Sequence, residues 1–331
     1  MKKILTLLLA VIMIISLAGC GKTVPADTPQ AETPEPEEIS NDFYKLMQTD
    51  FRPIAVMIDN DDYNARPQLG LESAYIVYEM VVEGAATRFM ALFKEAKLEK
   101  IGPIRSSRHY FLDYVQEHDA RYVHCGWSDK AAQEISSKKI NNINGLHENI
   151  FWRDYTYDKT WHNLYTGLDK VEELANKKNY RATTDEKVFE YKKMPEDIVG
   201  TDATYLSIPY AGFYGVEFKY NPETKLYERY VNEKPHMSQT GEILTAMNII
   251  VYDLLNVPLN DGIYAPRQEI NTVGSGEGYY MTQGKSVKIF WKKDSRSAKT
   301  VYTLEDGSPL VLNPGNTYIQ IAPTTTGYTI Q

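Results

Sequence analysis

Cysteine is scarce in this chain. The 331 residues contain two, Cys20 and Cys125, so at most one internal disulfide can form, and a small disulfide-stabilised scaffold is excluded. A chain of this length buries enough apolar surface to form a large core without covalent cross-links. We therefore expect packing, not disulfide bonding, to hold the fold together.

Excess positive charge is also missing. Lysine and arginine total 36 against 44 aspartate and glutamate residues, which gives a formal net charge of −8. Nucleic-acid binding depends on lysine and arginine that neutralise phosphates, so no nucleic-acid partner is expected. An anionic bilayer or wall polymer would be repelled as well, unless the protein carries a local basic site.

The apolar run near the N-terminus is short. Residues 4–17 follow Met-Lys-Lys and end at Leu17-Ala18-Gly19-Cys20. This run is too short for an ordinary membrane-spanning helix and is typical of a secretory signal. The cleavage site resembles a bacterial lipobox, which implies removal of residues 1–19 and a diacylglycerol on Cys20. The alternative is an uncleaved N-terminal anchor. Both interpretations place the body on the outer face of the cytoplasmic membrane.

Composition divides the rest of the chain into three parts. Residues 20–50 are expected to be the lipidated cysteine and an extended, disordered tether, because the first half of this segment is rich in proline and glutamate. Strand and helix patterns intermingle over residues 51–200, which predicts an α/β domain with a mixed sheet. Residues 201–331 predict a mainly antiparallel, β-rich C-terminal domain. The fold class is therefore α+β (mixed α/β).

The secondary structure predicted for residues 51–200 shows on which strands, turns and helices the polar motifs lie. A strand over residues 53–58 ends in a turn, Asp59-Asn60-Asp61-Asp62. Residues 74–82 and 88–93 form a predicted hairpin. Helices are predicted over residues 106–117, over 129–137 with Ser128 or Asp129 as its cap, and over 166–178. In the second domain, residues 274–278 are predicted to be a turn.

Several stretches together resemble the YerB family of bacterial lipoproteins. They are RPIAVMIDN at 52–60, RPQLGL at 66–71, Tyr78-Glu79 with Glu83-Gly84 and Thr87-Arg88, GPIRSSR at 102–108 and HNLY at 162–165, with YER at 227–229, VGSG at 273–276 and NPG at 313–315 in the later part. The resemblance covers essentially everything from Arg52 onward. It implies a two-part lipoprotein located outside the cytoplasm and points to no particular reaction.

The segment GPIRSSRHYF at 102–111 carries the strongest candidate site. Arg105 and Arg108 lie three residues apart at the predicted start of a helix, where the free N–H groups and the dipole favour an anion. Two positive charges there are unfavourable unless something offsets them. A bound phosphate, sulfate or carboxylate would do so, and so would an internal carboxylate. Both interpretations stay open.

We therefore predict a binding or accessory module that holds an anionic ligand, such as a cell-wall polymer, or a segment of an envelope protein. The predicted anion site comprises Arg66, Arg88, Arg105, Ser106, Ser107 and Arg108. The predicted supporting polar cluster comprises Asp59, Asn60, Glu79, Glu83, His162 and Asn163. No catalytic residue, metal or cofactor is predicted, and the histidines show no zinc-binding spacing such as His-Glu-x-x-His.

Two other functions are compatible with the sequence. An envelope hydrolase would use paired carboxylates or Cys125. Glu79 and Glu83, however, lie about 13 Å apart on a strand, beyond the roughly 5–9.5 Å of glycosidase pairs. A protein–protein scaffold would use the tyrosine-rich C-terminal domain, since the chain has 25 tyrosines and tyrosine is enriched at interfaces.

Overall fold

The computed structural model describes residues 41–331 apart from 62, 260–261 and 263–265. The predicted signal peptide, Cys20 and residues 21–40 of the predicted tether lie outside this part of the chain. Within it, no helix has the length and apolarity needed to cross a membrane.

Four α-helices and 23 strands are found in the described residues. The helices are α1 (Asp42–Gln48), α2 (Phe111–Glu117), α3 (Asp129–Ser137) and α4 (Leu168–Lys177). The first nine strands are β1 (Ile54–Asn60), β2 (Ile76–Val81), β3 (Thr87–Phe93), β4 (Arg121–His124), β5 (Asn142–Asn144), β6 (Trp152–Arg153), β7 (Leu164–Tyr165), β8 (Glu190–Tyr191) and β9 (Thr201–Asp202). The later strands are β10 (Tyr205–Ala211), β11 (Tyr214–Asn221), β12 (Leu226–Val231), β13 (Lys234–Pro235), β14 (Thr245–Ala246), β15 (Asn248–Leu254), β16 (Asn256–Pro258), β17 (Gln268–Ile270), β18 (Gly274–Thr282), β19 (Lys285–Lys293), β20 (Val301–Thr303), β21 (Val311–Leu312), β22 (Thr317–Pro323) and β23 (Thr329–Ile330).

One large sheet runs through both halves of the chain. Its strand order in the described residues is β20-β19-β18-β15-β22-β2-β3-β1-β4-β5, with β9 paired to β19. Pairing is mixed: β2 and β3 are antiparallel, whereas β22 is parallel to both β2 and β15. The predicted α+β class is confirmed. The predicted domain boundary near residue 200 lies between two groups of strands, and both groups belong to this same sheet.

A smaller antiparallel sheet covers one face of the large one. Its order is β13-β12-β11-β10-β23, with β14 paired to β12. Successive residues of a strand point to opposite faces, and β2 shows this directly. The Tyr78 hydroxyl donates to Glu117 on α2, while Glu79 accepts from Arg229 on β12. Because both faces are covered, β1, β2 and β3 are buried along their whole length.

Several sequence-based predictions of elements are confirmed. The structure has the predicted strand β1 and the predicted β2–β3 hairpin. Ser128 caps α3, since its hydroxyl accepts from the Ala131 N–H. Helix α4 lies within the predicted range.

Three predictions are wrong in detail. The tether does not extend unstructured to residue 50, because residues 42–48 form α1, capped by the Asn41 side chain. The helix predicted from Ser106 begins at Phe111, so the residues before it are free to pair with strands. The glycine-rich segment at 274–278 is not a turn but the first half of β18, because Gly276 and Gly278 lie directly against neighbouring Trp291 and Val251.

Candidate functional site

The GPIRSSR segment extends the large sheet beside β1. The Asp59 N–H donates to the Pro103 carbonyl at 2.8 Å, and the Arg105 N–H donates to the Met57 carbonyl at 3.0 Å. On the other side, the Cys125 N–H donates to the Arg105 carbonyl at 3.0 Å. Arg105 therefore lies in an extended segment, whereas Arg108 lies at the turn that leads into α2, where its carbonyl accepts from the Phe111 N–H at 3.2 Å.

Arg105 bonds to two aspartates at the end of β1. Its Nε lies 2.9 Å from Asp59 Oδ2, and its Nη2 lies 3.5 Å from Asp61 Oδ2. His162 Nδ1 also contacts Asp59 Oδ2, at 2.8 Å. Burial alone would raise the pKa of Asp59, but the hydrogen bond from His162 and the charge of Arg105 outweigh it and lower that pKa. Asp59 is thus a buried, ionised carboxylate that holds the Arg105 guanidinium and the His162 ring in place.

Arg88 and Arg108 share a third carboxylate. Arg88 Nη2 lies 3.6 Å from Glu83 Oε2, and Arg108 Nε bonds to Glu83 Oε1. Both guanidiniums also donate to main-chain carbonyls, Arg88 to Ser106 at 2.8 Å and Arg108 to Ser107 at 2.6 Å. Burial, followed by the neighbouring charge of Arg108, lowers the pKa of Arg88 to about 10. The two serines therefore contact the arginines through their backbone.

Glu79 lies in a different cluster, between the two sheets. Its carboxylate accepts from Thr87 and Tyr214, both at 2.7 Å, and from Arg229 at 2.8 Å. Asn60 adds a bond from its Nδ2 at 3.2 Å. Glu79 and Arg229 are both fully buried. Glu79 and Glu83 thus serve separate ion pairs, and the structure does not bring them together as an acid/base pair.

A neutral histidine closes this second cluster. Arg229 Nη1 donates to His236 Nδ1, so the ring proton lies on Nε2, which donates to Gln68 Oε1 at 2.6 Å. Gln68 in turn donates to Asn60 Oδ1 at 3.1 Å. Burial, with the positive charge of Arg229, holds the pKa of His236 well below its usual range. The ring is therefore a neutral link between the two sheets.

Arg66 connects this cluster to a cavity, which we call the junction cleft. Its Nη1 donates to Asn60 Oδ1 at 2.8 Å, and its Cζ lies 5.5 Å from the centre of the Tyr214 ring. The junction cleft has a volume of about 370 Å³. It is lined by Asp61, Arg66, Pro67, Phe213, Tyr214, Val231, Asn232, Lys234, Pro235, His236 and Met237. Its walls therefore come from the end of β1 and from the tips of the smaller sheet.

His162 and Asn163 organise the loop that leads to Trp161. The His162 N–H donates to Asp158 Oδ2 at 2.9 Å, and Asn163 Nδ2 donates to the Asp158 carbonyl at 3.1 Å. Asn163 Oδ1 accepts from Arg153 at 2.6 Å. These two predicted polar residues brace the loop, and His162 additionally reaches Asp59.

Cys125 lacks the character of a nucleophile. Its side chain is half-buried, and burial raises the pKa of its thiol, whereas a reactive cysteine needs a depressed one. The ring of His124 stacks on Tyr122 at 4.8 Å, and its Nδ1 donates to the Gly126 carbonyl. Among the described residues, no group of three or more His, Cys, Asp or Glu side chains is placed to hold a metal ion.

A larger cavity of about 640 Å³ lies at the opposite end of β1, between α4 and residues 95–99. Its two arginines are held by internal acids, Arg121 by Glu172 at 2.6 Å and Arg52 by Asp119 at 3.0 Å. None of the predicted site residues lines it. The junction cleft, which Arg66 lines, is therefore the candidate site.

Comparison with known families decides the family of this protein. Residues 45–181 match the family model described as "Protein of unknown function (DUF3048) N-terminal domain", and residues 206–319 match its C-terminal counterpart. The chain belongs to the DUF3048 family. The resemblance to YerB is confirmed, since the chain is 30% identical over 290 residues to "Putative lipoprotein YerB" of Bacillus subtilis strain 168. That alignment covers 83% of this chain and 82% of YerB.

The DUF3048 fold is also similar to a solved structure. The crystal structure of the YerB protein from Bacillus subtilis superposes with a TM-score of 0.76 at 28% identity. The match covers 87% of this chain and 95% of that one. The relationship therefore extends over both halves of the DUF3048 chain.

The residues that the smaller sheet contributes to the candidate site were not predicted from the sequence. Arg229, His236 and Tyr214 complete the Glu79 cluster, and Phe213 and Lys234 line the junction cleft. One signal was present: Phe213 follows Gly212 between two strands of alternating pattern, so an apolar ring at a hairpin tip was predictable. Nothing in the sequence indicated that the Phe213 ring lines the same cleft as Arg66.

Proposed function

We propose that this DUF3048 protein is a lipid-anchored binding module on the outer face of the cytoplasmic membrane. In this proposal the junction cleft holds an anionic wall fragment, with a carboxylate or phosphate at Arg66 and Lys234 and an apolar ring face against Phe213. Arg66 is taken from the predicted anion site because it lines this cleft. Arg88 and Arg108 pair with Glu83, and Arg105 pairs with Asp59 and with Asp61, which also lines the cleft.

The observation that carries this proposal is the combination of charge and apolar surface in one cavity. Phe213 is 59% exposed and Met237 39% exposed, while Arg66 and Lys234 line the same cleft. Small-molecule sites are typically concave, largely apolar, and supplied with a few polar groups that orient the ligand. A volume of about 370 Å³ falls within the roughly 300–1,000 Å³ of such sites.

The proposed anchor is the lipid on Cys20. It is supported by the lipobox-like Leu17-Ala18-Gly19-Cys20 and by the description of the relative YerB as a lipoprotein. We expect Cys20→Ala to shift the protein out of the membrane fraction and to abolish its labelling by radioactive palmitate, whereas Cys125→Ala changes neither. A Cys20→Ala chain that stays with the membrane would contradict the lipid anchor and support an uncleaved N-terminal anchor instead.

The ligand prediction concerns Arg66. We expect one anionic probe among phosphate, citrate and a purified disaccharide-peptide of the wall to raise the melting temperature of the full chain in detergent, because a ligand that binds only the folded state stabilises it. Arg66→Gln should weaken that binding about tenfold or more, since a charge-assisted hydrogen bond contributes about 1.5–3 kcal/mol.

Arg181→Gln is the matched control for this measurement. Arg181 is more than half exposed, pairs with Asp119 and does not line the junction cleft, so its variant should bind like the parent. An equal shift of the melting temperature in parent and Arg66→Gln would contradict the assignment of the cleft. A panel without any shift would contradict binding of such anions altogether.

A further inference from the structure

Trp161 is exposed and yet fixed in position. Its side chain is 62% exposed, and its Nε1 donates to His162 Nε2. Because Nε2 accepts this bond, the proton of the ring lies on Nδ1, which donates to Asp59 Oδ2 at 2.8 Å. Asp59 is fully buried and is also held by Arg105. A chain of hydrogen bonds thus connects a buried carboxylate to an indole ring at the surface.

Arg105 also contacts the face of the Trp161 ring. Arg105 Cζ lies 5.8 Å from the centre of the Trp161 ring, within the range of a cation–π contact. Apolar area left in water is unfavourable, so covering a large exposed ring with a ligand is favourable. A ring that is already immobilised also loses little conformational entropy when a ligand stacks on it.

The fixed ring is connected to the junction cleft through Arg105. The Arg105 guanidinium contacts the Trp161 ring, and its Nη2 lies 3.5 Å from Asp61 Oδ2. Asp61 lines the junction cleft together with Phe213. A ligand of one ring would occupy the junction cleft without contacting Trp161, whereas a longer ligand that passes Asp61 and Arg105 would also contact the indole.

We propose that Trp161 is a stacking platform for a sugar ring, and that the ligand is a glycan oligomer whose anionic groups occupy the junction cleft. This inference rests on the proposed function and extends its site across Asp61 and Arg105. The flat apolar face of a sugar suits an aromatic platform, and acidic substituents on the same chain suit Arg66 and Lys234. His162 and Asp59 are positioning residues, since they act through the indole.

The test measures affinity against ligand length. Wall glycan fragments with two, four and six sugar rings, each with its peptide, are titrated into the full chain in detergent by calorimetry. For the parent we expect affinity to rise about tenfold from two rings to six. Trp161→Ala should remove most of this gain and leave the affinity for two rings within about twofold, since an aromatic stacking contact is worth roughly a factor of ten.

Two further variants separate stacking from other effects. Trp161→Phe keeps a ring but loses the N–H that binds His162, so it should retain part of the length dependence. Tyr155→Ala removes another aromatic ring that is 54% exposed and should retain all of it.

Each contrary result has a distinct meaning. Equal affinity of the parent for short and long fragments would overturn the platform and leave the proposed cleft standing. Failure of the two-ring fragment to bind at all would overturn the cleft and the platform together. A Trp161→Ala variant that loses short and long fragments equally would overturn the extension, and so would a parent that binds sugar-free aromatic peptides through Trp161.

Discussion

Replacing Glu79 by glutamine is expected to lower the free energy of unfolding by about 3–5 kcal/mol, the usual cost of leaving a buried charge unpaired. The Arg229 guanidinium is fully buried, with its Cζ 5.1 Å from the Phe89 ring and 5.9 Å from the Phe218 ring. Burial opposes its charge, but Glu79, aided by Tyr214, outweighs this and raises the pKa of Arg229. Without the carboxylate, the charge stays between two aromatic rings.

The Glu79 measurement is urea unfolding followed by circular dichroism, with two comparisons. Glu79→Gln combined with Arg229→Met should recover part of the lost stability, since both charges are then gone. Glu173→Gln breaks a surface pair with Lys177, in which both side chains are 67% exposed, and should leave the stability nearly unchanged because exposed ion pairs contribute little. A Glu79→Gln variant as stable as this control would contradict the role assigned to the pair.

A second buried pair, Glu117 with Lys293, is expected to respond unequally to the loss of either partner. Lys293 Nζ lies 2.6 Å from Glu117 Oε2, and neither side chain is more than 1% exposed. Glu117 also accepts from Tyr78 and twice from Thr300, whereas the other hydrogen bond of Lys293 goes to the Ala298 carbonyl. When the Glu117 carboxylate is removed, Lys293 therefore keeps fewer hydrogen-bond partners than Glu117 keeps when Lys293 is removed.

We expect Glu117→Gln to cost about 3–5 kcal/mol, because it leaves the buried Lys293 ammonium without a compensating negative charge. Lys293→Met should cost less, about 1–3 kcal/mol, because the remaining carboxylate keeps three neutral donors. The same urea experiment gives both values. A larger loss for Lys293→Met than for Glu117→Gln would contradict this ordering.

The local part of the fold was predictable because it depends on short-range patterns. Residues 54–58 of strand β1 are an uninterrupted apolar run, and α3 starts after a serine that caps it. The helix expected at Ser106 failed for a related reason. Its residues have an acceptable helical pattern, but the Asp59 N–H and the Met57 carbonyl need partners, and the 103–105 backbone supplies them. Pairing with β1 outweighs helix propensity there.

The candidate site was predictable in composition but not in arrangement. The sequence placed Arg105 near acidic residues, and Asp59 and Asp61 are its partners in the structure. The partner of Glu79, however, is Arg229, which lies 150 residues away. No periodicity or spacing encodes such a contact, because it arises only when the smaller sheet packs on the large one.

The position of β22 has a consequence for how this protein reaches its native state. This strand is formed by residues 317–323, close to the C-terminus, and it lies between β15 and β2 in the interior of the large sheet. Until those last residues are available, β2 has an open edge and the two halves of the sheet are not joined. The two halves of the large sheet therefore cannot be joined before residues 317–323 have been synthesised, and such long-range pairing favours slow folding.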